Sequence, residues 1–163
     1  GLVLYNNAGK TNKKGAEVEF NGKISDQLNF EYAASIGNYK FESFKFNEND
    51  FSNNLIPGIP KSQHNIKIKY KNESNFNLVV GLKRVGKMFA DNANKTEIDG
   101  YSSINVKMSK NLNLFKTSIT PFISIDNLFN KEYFDNIRIN AFGSRFYEPA
   151  PGINFIGGLK LNL

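Results

Sequence analysis

Apolar and polar residues alternate with a period of two along most of this chain, and the alternation restarts after each cluster of Asn, Gly, Asp and Ser. In Gly15–Ile24, Ala16, Val18, Phe20 and Ile24 share one face, and Glu17, Glu19, Asn21 and Lys23 share the other. In Leu28–Ile36 one face carries Leu28, Phe30, Tyr32, Ala34 and Ile36. His64, Ile66, Ile68 and Tyr70 oppose Asn65, Lys67 and Lys69, and Phe76, Leu78, Val80 and Leu82 oppose Asn77, Val79, Gly81 and Lys83. Ile104, Val106 and Met108 oppose Ser103, Asn105, Lys107 and Ser109, while Ile119, Ile123 and Ile125 oppose Thr120, Phe122 and Ser124. In the last segment Ile153, Phe155, Leu159, Leu161 and Leu163 oppose Asn154, Lys160 and Asn162. Strands send successive side chains to opposite faces. The pattern predicts an all-β antiparallel meander of seven strands, with an eighth, Gly1–Tyr5, at the edge.

The connectors sort by length. Ser25–Gln27 and Asn72–Asn75 are tight turns, and Asn111–Lys116 is slightly longer. Glu42–Ser62, Phe89–Gly100 and Lys131–Gly152 are long irregular stretches, with Phe46–Asp50 and Asp91–Asn94 as solvated tips. Short and long connectors alternate, so one rim of the sheet receives all the long ones. Transmembrane barrels have this asymmetry. Alternation alone leaves the wet side open. A soluble sandwich would turn the apolar faces into a dry core, whereas a membrane barrel would turn them to lipid and the polar faces to the interior. The loop asymmetry favours the barrel.

Composition narrows the chemistry. The chain has no Cys, which excludes disulfides, thiolate metal sites and a Cys nucleophile, and its only His is His64. His64 begins a strand after a Pro-rich loop and suits packing better than metal binding. Glu17 and Glu19 sit on one face of one strand, and no pair of segments offers an acid/base dyad. Neither an enzyme, a catalytic residue, a metal site nor a cofactor is expected. The net charge of +6 comes from lysines scattered through strand-like text, which is not a nucleic-acid footprint. No apolar run approaches the ~18 residues of a membrane helix, and no segment resembles a signal peptide. For a barrel this implies a fragment whose N-terminal part lies elsewhere.

Several motifs point further. Asn127-Leu128-Phe129-Asn130-Lys131-Glu132-Tyr133 follows the strand Ile119–Ile125, and Arg138–Gly152 precedes the last strand. Upstream stand Tyr5-Asn6-Asn7-Ala8-Gly9, then Gly15-Ala16-Glu17-Val18-Glu19, and Leu55–Pro60 leading to His64. In this order they resemble the end of a TonB-dependent outer-membrane receptor of the siderophore type, across essentially the whole chain. Gly158, Leu161 and Leu163 fit the spacing of that family's assembly signal, although the final residue is Leu rather than an aromatic and Ile156 stands where a polar residue is usual.

The resemblance implies that residues 1–163 form the last eight or so strands of a 22-strand barrel. The plug and the TonB-binding segment would lie outside this chain. It implies import of a ferric siderophore or related scarce nutrient, energised through TonB, in the outer membrane of a Gram-negative bacterium. Membrane lipid and lipopolysaccharide would surround the barrel. Arg84, Arg138 and Arg145 are the only arginines, all near long-loop rims, and with Tyr147 they are the candidate ligand contacts, Phe146 lying beside them. Asn127 and Asn130 suit a strand end where amides satisfy freed backbone groups, and Tyr133 and Phe134 suit an interfacial girdle. Glu31 faces Lys67 and Lys69 as a candidate pairing across the polar side. A complete small eight-stranded barrel and a soluble β-sandwich binding module are the alternatives.

Overall fold

The computed structural model describes residues 9–114, 117–144 and 147–162. Fourteen strand segments occur in order: β1 (Lys10–Lys23), β2 (Leu28–Ser43), β3 (Lys45–Phe46), β4 (Asn49–Asp50), β5 (Ser62–Lys71), β6 (Phe76–Val85), β7 (Met88–Phe89), β8 (Glu97–Ile98), β9 (Tyr101–Lys110), β10 (Leu112–Leu114), β11 (Thr117–Asp126), β12 (Phe134–Ile137), β13 (Tyr147–Pro149) and β14 (Asn154–Asn162). The main sheet is an antiparallel meander running β1, β2, β5, β6, β9, β11, β14. β10 prolongs β9, since Phe122↔Ser109 and Leu112↔Ile119 keep one register along β11. The seven strands expected from the alternation are all present. The eighth, Gly1–Tyr5, lies outside the described residues. Among the described residues β1 and β14 are each hydrogen-bonded on one side only, so the sheet is an open arc.

The register aligns the two faces across the whole sheet. One row runs Phe30, Ile68, Val80, Val106, Ile125, Phe155, and the next runs Phe20, Tyr32, Ile66, Leu82, Ile104. This apolar face stays uncovered: Phe20 is 56%, Phe155 62% and Leu159 69% exposed. The opposite face carries rows such as Glu19, Ala33, Asn65, Lys83, Ser103 and encloses a trough of about 390 Å³ between Glu19, Asn65 and Asn105. The concave face is therefore the polar one, and the apolar face looks outward, as in a membrane wall around a wet lumen.

A soluble sandwich would bury its apolar rows against a second sheet. Here the buried hydrophobics among the described residues are Phe41, Phe44, Val85, Ala90 and Ile98, all at the long-loop end. Among the described residues no helix is long and apolar enough to cross a membrane, which does not bear on crossing by strands.

The lumen face is held by charge and ring contacts. Glu31 forms an ion pair with Lys69 and a second, at 3.5 Å, with Lys67 directly opposite, so the expected cross-strand group is present. Phe122, the one aromatic on the polar face of its strand, lies across Gly158. A side chain on Gly158 would meet its ring at 2.7 Å, and the Lys107 ammonium stands 5.0 Å from the ring centroid.

Two strands outrun the alternation. β2 continues past Ile36 to Ser43, and β1 begins at Lys10, so this hairpin projects beyond the row where β5 ends at Ile36↔Ser62. In the projection the phase inverts. Tyr39 and Phe41 are now on the inward side, while Asn38 and Lys40 face outward. Phe41, Phe44 and Phe51 pack as an aromatic core there, with ring centroids 4.8 and 5.5 Å apart.

Candidate functional site

The long-loop rim is built on asparagine. At the end of β11, Asn127 takes a positive φ of 51° and is buried. Its amide nitrogen donates to Lys131 O at 2.9 Å and to Pro151 O at 3.2 Å, and its oxygen accepts from Lys131 N at 2.8 Å. Asn130, also at positive φ, accepts from Ile153 N at 2.9 Å and so fixes the entry to β14. Asparagine visits this left-handed region at less cost than most residues and brings a donor and an acceptor. The expected role of both asparagines at a strand end is what the structure shows.

This tether carries the segment 131–137 back over the lumen side of β9. Tyr133 stacks on Tyr101, the first inward residue of β9, with ring centroids 3.9 Å apart and planes 15° from parallel. The Lys83 ammonium lies 5.9 Å from the Tyr101 ring. Phe134 stacks on Tyr147 at 4.4 Å across the β12–β13 hairpin. Between these pairs lies a cavity of about 620 Å³, walled by Tyr101, Tyr133, Phe134 and Tyr147 with Glu97 and Asp99 at its edge. Tyr133 thus turns toward the lumen rather than joining an interfacial girdle. Burial, and then the neighbouring Tyr101 and Asp135, push its phenol above the usual tyrosine value, so it remains a neutral hydrogen-bonding group.

Charges at the rim are largely matched. Lys87 pairs with Glu97 at 2.7 Å and Asp99 at 3.6 Å, and the Glu97 hydrogen bond leads in raising its ammonium above the ordinary value. Arg138 donates from Nε to Glu148 Oε1 at 2.7 Å, while Asn136 donates to Glu148 Oε2 at 2.9 Å. The Asn136 hydrogen bond, then Arg138, holds the Glu148 carboxyl below the usual range. Among the described residues, no group of three His, Asp or Glu side chains is placed to hold a metal ion.

The sequence-based candidates separate in space. Tyr147 lines the cavity. Arg138 is engaged by Glu148 and borders a different hollow with Ala141 and Phe142. Arg84 stands in the row Ala34, His64, Arg84, Ser102, on the outward face above the apolar band. Arg145, with Phe146, lies outside the described residues. Tyr101, Tyr133 and Phe134 were not among the candidates as ligand contacts. The available signal was Tyr101 following Gly100 on the inward phase of its strand.

The family model described as TonB dependent receptor-like, beta-barrel matches residues 1–128. The chain belongs to the TonB-dependent receptor family. That family consists of transport receptors, and its members are outer-membrane proteins. The ferrioxamine receptor of Yersinia enterocolitica is 25% identical over 138 residues, covering 80% of this chain and 18% of that receptor. Two solved structures share the fold. The siderophore receptor PiuA of Acinetobacter baumannii has a TM-score of 0.77 and 20% identity, covering 94% of this chain and 22% of that one. The ferric citrate transporter FecA in its unliganded form has a TM-score of 0.80 and 18% identity, covering 94% and 25%. This TonB-dependent receptor segment therefore spans about a fifth of the length of the relatives it matches.

Proposed function

We propose that this chain is part of the barrel wall of an outer-membrane importer of a ferric siderophore or a chemically related iron chelate in a Gram-negative bacterium. The rest of the barrel, the plug and the TonB-contacting segment belong to the remainder of the receptor, and TonB supplies the energy. The observation that carries the reading is the pair of aromatic stacks around the rim cavity. Tyr101–Tyr133 and Phe134–Tyr147 present flat faces and phenol groups to the mouth of the lumen. Such walls suit a bulky chelate, because aromatic faces supply contact area with little loss of side-chain freedom on binding. Tyr147 is the contact expected from the sequence, and Tyr133 and Tyr101 join it. Arg138 serves the site indirectly by tying the end of β12 to Glu148 of β13.

The test uses the whole receptor that contains this chain. Binding of ferric siderophores is measured by fluorescence quenching, and uptake by radiolabelled iron. Tyr147→Ala and Tyr133→Ala are expected to weaken binding about tenfold each, with folding retained as judged by heat-modifiable migration. Unchanged binding in both variants would remove the cavity from the import path.

A further inference from the structure

The rim cavity has a sign of charge as well as a shape. Between its two aromatic stacks, the charged side chains that line it are Glu97, Asp99 and Glu132 against the single ammonium of Lys131. Lys87 lies behind this edge, 2.7 Å from Glu97 and 3.6 Å from Asp99. With Lys87 counted in, three carboxylates face two ammonium groups. Lys87 does not cover Asp99, whose side chain is 91% exposed. Farther out, Asp135 and Lys83 stand beside the stacked tyrosines and offset each other.

The arginines do not reverse this balance. Arg138 is held by Glu148 and borders a different hollow, and Arg84 stands on the outward face. Among the described residues no arginine lines the cavity. The rings act in the same sense as the carboxylates. An aromatic face carries the negative part of the ring quadrupole and attracts cations. The Lys83 ammonium, 5.9 Å from the Tyr101 ring, already uses one such face. A cleft lined by one sign of charge concentrates ligands of the other sign and repels its own.

We infer that this cavity selects iron chelates of neutral or positive net charge over anionic ones, with Asp99 and Glu132 setting the preference. The inference rests on the import reading and narrows its ligand. Asp99 is the carboxylate most open to an incoming ligand, and Glu132 belongs to the segment that carries Tyr133 over the lumen.

The experiment uses the whole receptor that contains this chain and one ferric tris-hydroxamate scaffold with three different ends. A free amine, an acetylated amine and a succinylated amine make the chelate cationic, neutral and anionic while the iron centre stays the same. A ferric tris-catecholate, which is strongly anionic, is the fourth probe. Affinities are read by fluorescence quenching in low and in molar salt. Affinity is expected to fall about threefold at each step from cation to neutral to anion, the weight of one exposed charge pair. The tris-catecholate should bind weakest, and molar salt should compress the series. Asp99→Asn combined with Glu132→Gln should flatten it. Glu48→Gln, at a loop tip that does not line the cavity, should preserve it. Should the double variant fail to fold, Glu132→Gln alone and the salt dependence of wild type decide. The proposal is overturned if the succinylated chelate binds as tightly as the amine, if the tris-catecholate binds tightest, or if molar salt leaves the series unchanged. It is equally overturned if the double variant keeps the series, or if Glu48→Gln flattens it as fully. A flat or inverted series with iron uptake intact defeats the charge assignment alone, whereas binding of none of the four defeats the import reading with it.

Discussion

Asn94 and Leu55, on different loops, are joined by a reciprocal pair of hydrogen bonds. Leu55 N donates to Asn94 Oδ1 at 2.7 Å, and Asn94 Nδ2 donates to Leu55 O at 2.9 Å. The carboxamide imitates one step of a β-ladder. Around it, Asn54 donates to Asn92 O at 2.8 Å, Asn92 N to Asn140 Oδ1 at 2.9 Å, and Asn140 N to the fully buried Ala90 at 2.9 Å. Segments from all three long connectors are thus tied into one cap. Asn94→Ala removes both bonds and forces alanine into a φ of 55°. The expected cost is about 1–3 kcal/mol of local stability. Faster amide exchange at Leu55 in the whole receptor would show it. Asn94→Gly, which relieves the backbone alone, should recover only part of the protection.

Asn127 is the equivalent tether at the β11 exit. Asn127→Ala deletes its side-chain hydrogen bonds and strains a positive φ, and a loss of about 2–3 kcal/mol is expected. The same variant should loosen the Tyr101–Tyr133 stack, since residue 131 is where the segment is held. Chelate affinity should then fall together with the unfolding temperature. An unfolding temperature equal to wild type would refute the tether.

Asp91 gives the cap a pH dependence. Burial works to raise its carboxyl, but the hydrogen bonds from Lys95, Thr96 and Ala93 together hold it below the ordinary aspartate value of 3.8. A lowered folded-state value means that the stabilisation is complete above 3.8 and disappears as pH falls through the folded value. The protection of the Thr96 amide against exchange, taken relative to its intrinsic rate at each pH, should fall in that acid window and be flat from neutrality down to it. In Asp91→Asn the acid-dependent step should vanish.

The assignment of faces makes adjacent substitutions diverge. Ile68→Lys places a charge in the middle of the outward apolar row and should cost about 2–4 kcal/mol. Asn65→Lys, three residues away but facing the lumen, should be tolerated. Equal folding yields of the two in detergent refolding would contradict the wall reading.

How much was legible beforehand follows from the same boundary. Inside the bilayer every strand has lipid on one side and water on the other, so Leu28, Phe30, Tyr32, Ala34 and Ile36 announce β2 without ambiguity. Beyond Ile36 the outward face meets water; Tyr39 turns inward over Gly37, and Phe41 turns inward against Phe44, which in turn meets Phe51. The phase inverts, and a reading that follows one phase stops at the inversion. The polar start of β1, Lys10–Lys14, has no phase to follow. The rim cavity was opaque for another reason. Tyr101 and Tyr133 are 32 residues apart, and loop contacts such as the Asn127 carboxamide on Lys131 and the Leu128 N–Ile104 O hydrogen bond bring them together. Chain position places the arginines near loops, but strand phase decides which side they serve, and Arg84 falls on the outward phase.

The inverted phase of β2 also acts as a depth gauge. Its apolar run from Leu28 to Ile36 covers about 26 Å along the strand at ~3.3 Å per residue. At the tilt of such walls that is roughly 20 Å of hydrocarbon. Sinking the wall by one outward position would carry Lys14 and Arg84 into the oil, and raising it would lift Ile36 and Leu82 into water. The protein therefore has a fixed draught, and a thicker membrane would have to thin around it rather than draw it deeper.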